Sequence, residues 1–113
     1  MEERNRNLYR IGHISEAINQ IEKFTLNFTK SKFCKDILVQ SGVLFQFSII
    51  GEAIQHIDAD KLERINYPWH MVRGFRNFIA HEYHKLEMEA VWGIITRDLP
   101  ILKMKLEELK KYC

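Results

Sequence analysis

The sequence predicts an all-α fold, with four main helices and a short one packed as an up-down bundle. Apolar residues recur in steps of three and four in several segments, which is the spacing of one helix face. No segment shows the sustained alternation of apolar and polar residues that a half-buried strand requires. A length of 113 residues suits one modest core, so we expect residues 1–113 to form a single helical domain.

Two long helices are predicted in the first half of the chain. The first is expected to begin near Arg4 and to fade between residues 27 and 30, with its apolar stripe on one face. The second is predicted from an N-cap at Ser31 to about Ile57. Because it is apolar around most of its circumference, we expect it at the centre of the bundle. Gly51 is expected to allow close approach of another backbone there.

A short third helix and a longer fourth helix are predicted next. Asp60 followed by Glu63 resembles a capping box and indicates the start of the short helix. Pro68 suits the first turn of the fourth helix, which is predicted over about residues 68–83.

The fifth predicted helix carries apolar residues in steps of three and four from Met88 to Leu109. Pro100 interrupts this stripe, because its ring clashes with the preceding turn and it has no N–H to donate. We therefore expect the helix to kink or break near Leu99.

The composition is that of an ordinary globular protein, with 46% hydrophobic and 28% charged residues and a net charge of +2. Cys34 and Cys113 are too few for a disulfide framework and lack metal-ligand spacing, which indicates free thiols in a reducing compartment. The charged N-terminus lacks the apolar core of a secretory signal, and no uninterrupted apolar stretch approaches the ~18 residues of a membrane span. A cytoplasmic location without membrane contact is expected.

Positive charge is concentrated between Arg64 and Lys85. This segment contains four cations and a single acid, Glu82, so it carries +3 before any histidine is protonated. It is the natural place for an anion, although a solvated basic face would have the same composition.

The stretch RNFIAHEY, residues 76–83, contains three side chains that a helix does not need in order to fold. Arg76 can bind and neutralise phosphate, His81 can exchange protons near neutral pH, and the Tyr83 hydroxyl can orient a phosphate or be modified. At 100° per residue Tyr83 would lie about 20° from Arg76. These groups suffice for metal-free RNA cleavage, in which the ribose 2′-OH attacks the neighbouring phosphate. One histidine is too few for both proton transfers unless water or a second chain contributes.

Spacing alone leaves a structural role for these residues open, since a histidine on a helix is more often a hydrogen-bonding group than a catalyst. His13 and His56 lie in other elements, and His84 is treated as a surface residue. No HExxH or paired-carboxylate pattern appears, so we expect neither a metal nor another cofactor.

The same stretch resembles the Arg-x4-His-x-Tyr motif of HEPN-domain proteins, in particular the HepT-like toxins. Three longer segments resemble that family in the same order along the chain. IIGEAIQHI is similar to its Ile-Gly-Glu-Ala segment, YPWHMVRGFRNFIAHEY to its Pro-Trp to His-x-Tyr run, and AVWGIITRDLPILKMKLEEL to its final helix. The resemblance covers residues 5–110.

This resemblance implies a homodimeric, HEPN-like helical ribonuclease without a metal requirement, in which the motifs of two protomers face each other across a cleft. The site residues assigned on this basis are Arg76 and His81 as catalytic, Asn77, Tyr83 and Glu52 as supporting, and Arg73 and Lys85 as RNA-binding.

The resemblance also implies a toxin–antitoxin system, with Tyr83 as the acceptor of AMP from a minimal nucleotidyltransferase antitoxin (MntA-like). The modification would place negative charge in a site built for phosphate and so inhibit RNA binding. Glu82 stands where many relatives carry glycine, and an acid there would weaken RNA affinity.

Two other functions remain open from the sequence. The chain could be a non-catalytic nucleotide- or substrate-binding partner subunit of a nucleotidyltransferase. It could also be a helical adaptor in which the arginine, histidine and tyrosine bond only one another. RNA degradation that is lost in His81→Ala separates the ribonuclease from both.

Overall fold

The computed structural model describes residues 2–113, and for Glu3 the backbone alone. All regular structure in this range is helical, which confirms the predicted fold class. A 3-10 turn at Tyr83–Lys85 and a π-helical turn at Ile94–Asp98 accompany the α-helices. These helices are α1 (Glu3–Phe24), α2 (Lys30–Lys35), α3 (Ile37–Gln55), α4 (Ala59–Leu62), α5 (Trp69–Glu82), α6 (Met88–Gly93) and α7 (Leu99–Lys110).

Helix α3 lies at the centre, as predicted, with α1 packed along one side and α5 along another. Its buried face joins the apolar stripes of α1 and α7 in one core, because each stripe repeats at helical spacing and can leave water only against the others. Representative residues of this core are Ile11, Ile14, Ile21, Val43, Ile50, Ile54, Leu102, Leu106 and Leu109.

The predicted second helix is in fact two helices, α2 and α3, so the N-cap assigned to Ser31 is wrong. Thr29 caps α2, its hydroxyl accepting a hydrogen bond from the backbone N–H of Lys32 at 3.2 Å. Asp36 has an extended backbone between the helices, and its carboxylate accepts from the N–H of Val39 at 3.0 Å. A side chain that satisfies the free N–H groups of a new helix makes this break favourable.

The capping box predicted at Asp60 is also absent, since α4 begins at Ala59 and its start has no side-chain cap. The preceding residue, Asp58, instead pairs with the buried Asn7 of α1. The Asn7 amide donates to the Asp58 carboxylate at 3.1 Å and accepts from the Asp58 backbone N–H at 3.2 Å. This reciprocal pair satisfies a buried amide and fixes the N-terminal half of α1 against the α3–α4 connection.

The kink or break predicted near Leu99 takes the form of a π-helical turn between α6 and α7, through which the backbone stays helical. Pro100 is the second residue of α7, where it would clash with the carbonyl of Thr96 in a regular helix. The wider turn over Ile94–Asp98 avoids that clash.

By length and composition alone, helix Ile37–Gln55 is long and apolar enough to cross a membrane, although no membrane span was predicted from the sequence. The core helix of a bundle meets the same criteria, and α3 packs between α1 and α5. The length and composition of α3 therefore do not assign it to a membrane.

Candidate active site

The site begins where α3 and α5 cross, at Gly51 and Arg76. A Cβ added to Gly51 would collide with the Cβ of Arg76 and would stand 2.9 Å from its Cγ and 3.2 Å from the carbonyl oxygen of Val72. Only glycine allows this approach. The expectation that Gly51 admits another backbone is therefore confirmed, and the crossing fixes the base of the Arg76 side chain.

The next residue of α3, Glu52, holds the other end of Arg76. Its carboxylate accepts from the guanidinium at 3.1 Å and meets His56 Nε2, one turn further along α3, at 3.1 Å. The guanidinium also donates to the side-chain oxygen of Asn77 at 3.2 Å. Arg76 is thus oriented from two sides while it stays partly exposed.

Arg76 and Glu52 border an open groove of about 330 Å³ between α1, α3 and α5. Its walls are formed by Arg10 and His13 of α1, by Ser48, Ile49, Glu52 and Ala53 of α3, and by Arg76. His13 and His56 were not predicted as site residues, because they lie in elements other than α5, and neither was Arg10. The sequence feature that could have pointed to Arg10 and His13 is their three-residue spacing beside the apolar stripe of α1.

His81 and Tyr83 stand apart from this groove. His81 lies exposed in the last turn of α5. The helix ends at Glu82, with φ −130° and ψ 29°, and Tyr83 begins the 3-10 turn. Tyr83 therefore lies just outside α5, so the regular helical spacing that predicted it on the Arg76 face does not extend to it. Within residues 2–113, no hydrogen bond or ion pair joins either residue to Arg76.

The charged residues that follow His81 pair with one another. Glu82 meets the ammonium of Lys85 at 3.3 Å and the imidazole of His84 at 3.9 Å. Glu82 thereby offsets part of the positive charge that the sequence assigned to RNA binding by Lys85. Arg73 lies half-buried on α5, one turn before Arg76.

The described residues contain no group of three or more histidine, cysteine, aspartate or glutamate side chains arranged to hold a metal ion. The chemistry available at the site is that of a fixed guanidinium, nearby imidazoles and a carboxylate. Such a set can neutralise a phosphate and exchange protons with it.

A helical bundle that carries an oriented, partly exposed arginine and an exposed histidine on one helix has the groups that a small metal-free ribonuclease would use. The chain belongs to the HepT-like ribonuclease family, whose model matches residues 14–109. This match confirms the resemblance to HepT-like HEPN proteins.

Individual relatives agree with the family match. A probable ribonuclease HepT of Thermococcus cleftensis is 34% identical over 99 residues, which cover 87% of this chain and 90% of that protein. A provisionally named RNase of Methanocaldococcus jannaschii is 30% identical over 95 residues, covering 83% of this chain and 87% of the relative.

A longer protein of Methanocaldococcus jannaschii, named as a gamma-glutamylcyclotransferase with a provisional RNase, is 30% identical over 106 residues. The aligned region covers 89% of this chain but only 48% of that protein, so the chain spans about half of its length. No solved structure matches the chain significantly.

Proposed function

We propose that this HepT-like ribonuclease is a metal-independent endoribonuclease whose working site combines Arg76 and His81 of two protomers. The observation that carries the proposal is the placement of Arg76. The Cβ end of the Arg76 side chain is fixed by the close approach of Gly51, and its guanidinium is held by Glu52 at 3.1 Å. The side chain still lines an open groove. A pre-oriented cation at an accessible groove is what a phosphodiester in the transition state needs.

The proposed reaction is a transesterification within the RNA strand, in which the phosphoryl group is transferred from the 5′-oxygen to the 2′-oxygen. The 2′-oxygen bonds to the adjacent phosphorus and its proton passes to an imidazole, while the bond from phosphorus to the 5′-oxygen breaks. The departing 5′-oxygen takes a proton from a second imidazole and becomes a 5′-hydroxyl end. The other RNA fragment ends in a 2′,3′-cyclic phosphate. Arg76 stabilises the extra negative charge that develops on the non-bridging phosphate oxygens, and His81 serves as a proton-transfer group. His81 of the partner subunit would supply the second imidazole.

The homodimer is supported by an exposed apolar stripe on α3. Leu38 is 83% exposed and Phe45 is 64% exposed, and large apolar side chains exposed in a row are typical of an interface. Residues seven apart on a helix differ by about 20°, so Leu38, Phe45 and Glu52 share one face. A second protomer that covers this stripe would therefore reach the site. Exposed Met71 and Phe78 of α5 extend the available apolar surface.

Regulation by AMP is proposed at Tyr83, within a toxin–antitoxin pair. Tyr83 is 57% exposed just after α5, where a nucleotidyltransferase antitoxin could reach its hydroxyl. An AMP group there would add a negative charge at the end of the helix that carries Arg76 and His81, and so oppose RNA binding.

The test is cleavage of end-labelled single-stranded RNA by the purified protein. Arg76→Ala and His81→Ala should abolish cleavage and leave the helical circular dichroism unchanged, because both side chains lie outside the core. His84→Ala is the matched control, since it removes an exposed imidazole three residues after His81. The His84→Ala protein should cleave RNA normally. Normal cleavage by His81→Ala would reject the site. A wild-type protein that binds nucleotides and cuts no RNA would favour the non-catalytic partner subunit.

A further inference from the structure

The N-terminal half of α1 exposes an aromatic and cationic surface beside the groove, formed by Tyr9, Arg10 and His13 and called the α1 flank here. The rings of Tyr9 and His13 lie with centroids 4.3 Å apart at 56°. The guanidinium carbon of Arg10 lies 5.8 Å from the centroid of the Tyr9 ring. Tyr9 is 53% exposed, so one part of the ring contacts its neighbours and the rest is open to a ligand.

The α1 flank is continuous with the proposed active site. Arg10 and His13 line the same groove as Arg76, with Ser48 and Ile49 between them on α3. A strand whose phosphate lies at Arg76 would therefore have a second cation and a flat aromatic surface on one side of it. The single acid of the groove, Glu52, already bonds Arg76 and His56.

Packing does not explain these side chains. The face of α1 that enters the core carries Ile11 and Ile14, both fully buried, and Tyr9 lies about 160° from Ile11 around the helix. An exposed tyrosine beside two cationic or titratable side chains adds little to stability. The α1 flank instead has the composition of surfaces that bind unpaired nucleotides, where bases stack on aromatic rings and cations hold the backbone.

We propose that the α1 flank is a single-stranded RNA subsite that holds a nucleotide next to the one that is cut. Its base stacks on Tyr9, and its phosphate is held by Arg10 and His13. This proposal rests on the proposed ribonuclease function and extends it. Attack by the 2′-oxygen needs a nucleotide that is free of a duplex, and a stacked neighbour would keep the strand open and in register at Arg76.

The experiment compares two substrates, a dinucleotide that fills only the cutting site and a single strand of ten nucleotides that also reaches α1. Tyr9→Ala and Arg10→Ala should each raise KM for the longer RNA by about tenfold, the usual size of one lost stacking or phosphate contact. The kcat on the longer RNA and both constants on the dinucleotide should stay at wild-type values. Tyr9→Phe, which keeps the ring, should restore KM.

The chain offers two matched controls for these variants. Arg4→Ala removes a charge from the same end of α1 on its other side, and Tyr112→Ala removes an exposed tyrosine that also has an arginine, Arg64, over its ring. Both should leave KM unchanged. Binding of the ten-nucleotide RNA, followed by fluorescence anisotropy in the His81→Ala background, gives a readout that does not need cleavage.

The outcomes separate this inference from the ribonuclease assignment. Wild-type KM and anisotropy in Tyr9→Ala and Arg10→Ala would overturn the subsite and leave cleavage by Arg76 and His81 intact. Absence of cleavage by the wild type would reject the proposed function and, with it, the placement of the flank next to a cut nucleotide. Loss of RNA binding in the flank variants would in that case still support single-stranded RNA binding at the flank. Normal RNA binding together with lost binding to a nucleotidyltransferase would show the flank to be a protein-docking surface and overturn the proposal.

Discussion

Gly51 and Arg76 are in direct contact across the α3–α5 crossing, and no side chain larger than a hydrogen atom fits between them. This contact links the fold to the site. The crossing that packs the two helices also sets the origin of the guanidinium that Glu52 then orients at 3.1 Å. A change at Gly51 should therefore disturb stability and activity together.

The first prediction concerns Gly51→Ala. The added methyl would meet both the side chain of Arg76 and the carbonyl of Val72, and such overpacking costs about 1–3 kcal/mol. The free energy of unfolding, measured with urea, should fall by that amount, and RNA cleavage should fall with it. Gly74→Ala is the control, because nothing lies within 4 Å of its added Cβ, so it should gain up to about 1 kcal/mol. A Gly51→Ala protein as stable as wild type would contradict the close crossing.

A second prediction separates orientation of Arg76 from stability. Glu52→Gln removes the charge that meets Arg76 and His56. Because this ion pair is partly exposed, the unfolding free energy should change by less than about 1 kcal/mol. Cleavage should fall about tenfold or more, since a loosely held guanidinium is a poorer partner for the reacting phosphate.

Glu82→Gln provides the matched control for that experiment. It is the same substitution at a partly exposed glutamate near the site, but Glu82 pairs with Lys85 rather than with Arg76. Cleavage should persist, and RNA affinity should stay the same or rise as Lys85 is released. Equal losses of activity in Glu52→Gln and Glu82→Gln would argue against a specific role for Glu52.

The elements that the sequence predicted well are those set by local spacing. The apolar steps of α1 and α7 follow from helix geometry, and the irregular turn before Pro100 follows from the ring and the missing N–H of proline. The close approach at Gly51 was also predictable, because a glycine in a helix interior is costly unless the backbone needs it.

Two features depended on information that spacing does not contain. Ser31 and Thr29 are both suitable cap residues, and the choice between them depends on which turn packs Phe33 into the core. Arg10 and His13 line the groove beside Arg76 only through the way α1 packs against α3. A helix crossing is a tertiary property, so the sequence alone shows Arg10 and His13 only as polar residues on the solvent side of α1.

The third prediction tests metal independence. The proposed mechanism uses a guanidinium and imidazoles, so cleavage should continue at the wild-type rate in excess EDTA. The assay should include a metal-dependent nuclease as a positive control for chelation. Loss of activity in EDTA with recovery on adding magnesium would show that the mechanism needs a metal.

A fourth prediction concerns the dimer. Phe45→Glu places a charge in the exposed apolar stripe of α3, where a second protomer would have to bury it. We expect a monomer by light scattering, with helical circular dichroism retained and cleavage lost. Tyr112→Glu is the control, because this exposed aromatic residue lies after α7. A wild-type protein that is monomeric at micromolar concentration, yet active, would contradict the composite site.

The last prediction tests regulation at Tyr83. Incubation with a cognate nucleotidyltransferase, ATP and magnesium should add the mass of AMP to the wild-type chain, because the exposed phenol can attack the α-phosphate and release pyrophosphate. Tyr83→Phe should lose this mass shift and resist inhibition by the transferase, provided that its own cleavage activity is first shown to be intact. Peptide mapping identifies the acceptor. Tyr9 and Tyr112 are also exposed, so an adduct on either one would reject Tyr83 as the site while leaving inhibition by AMP transfer in place.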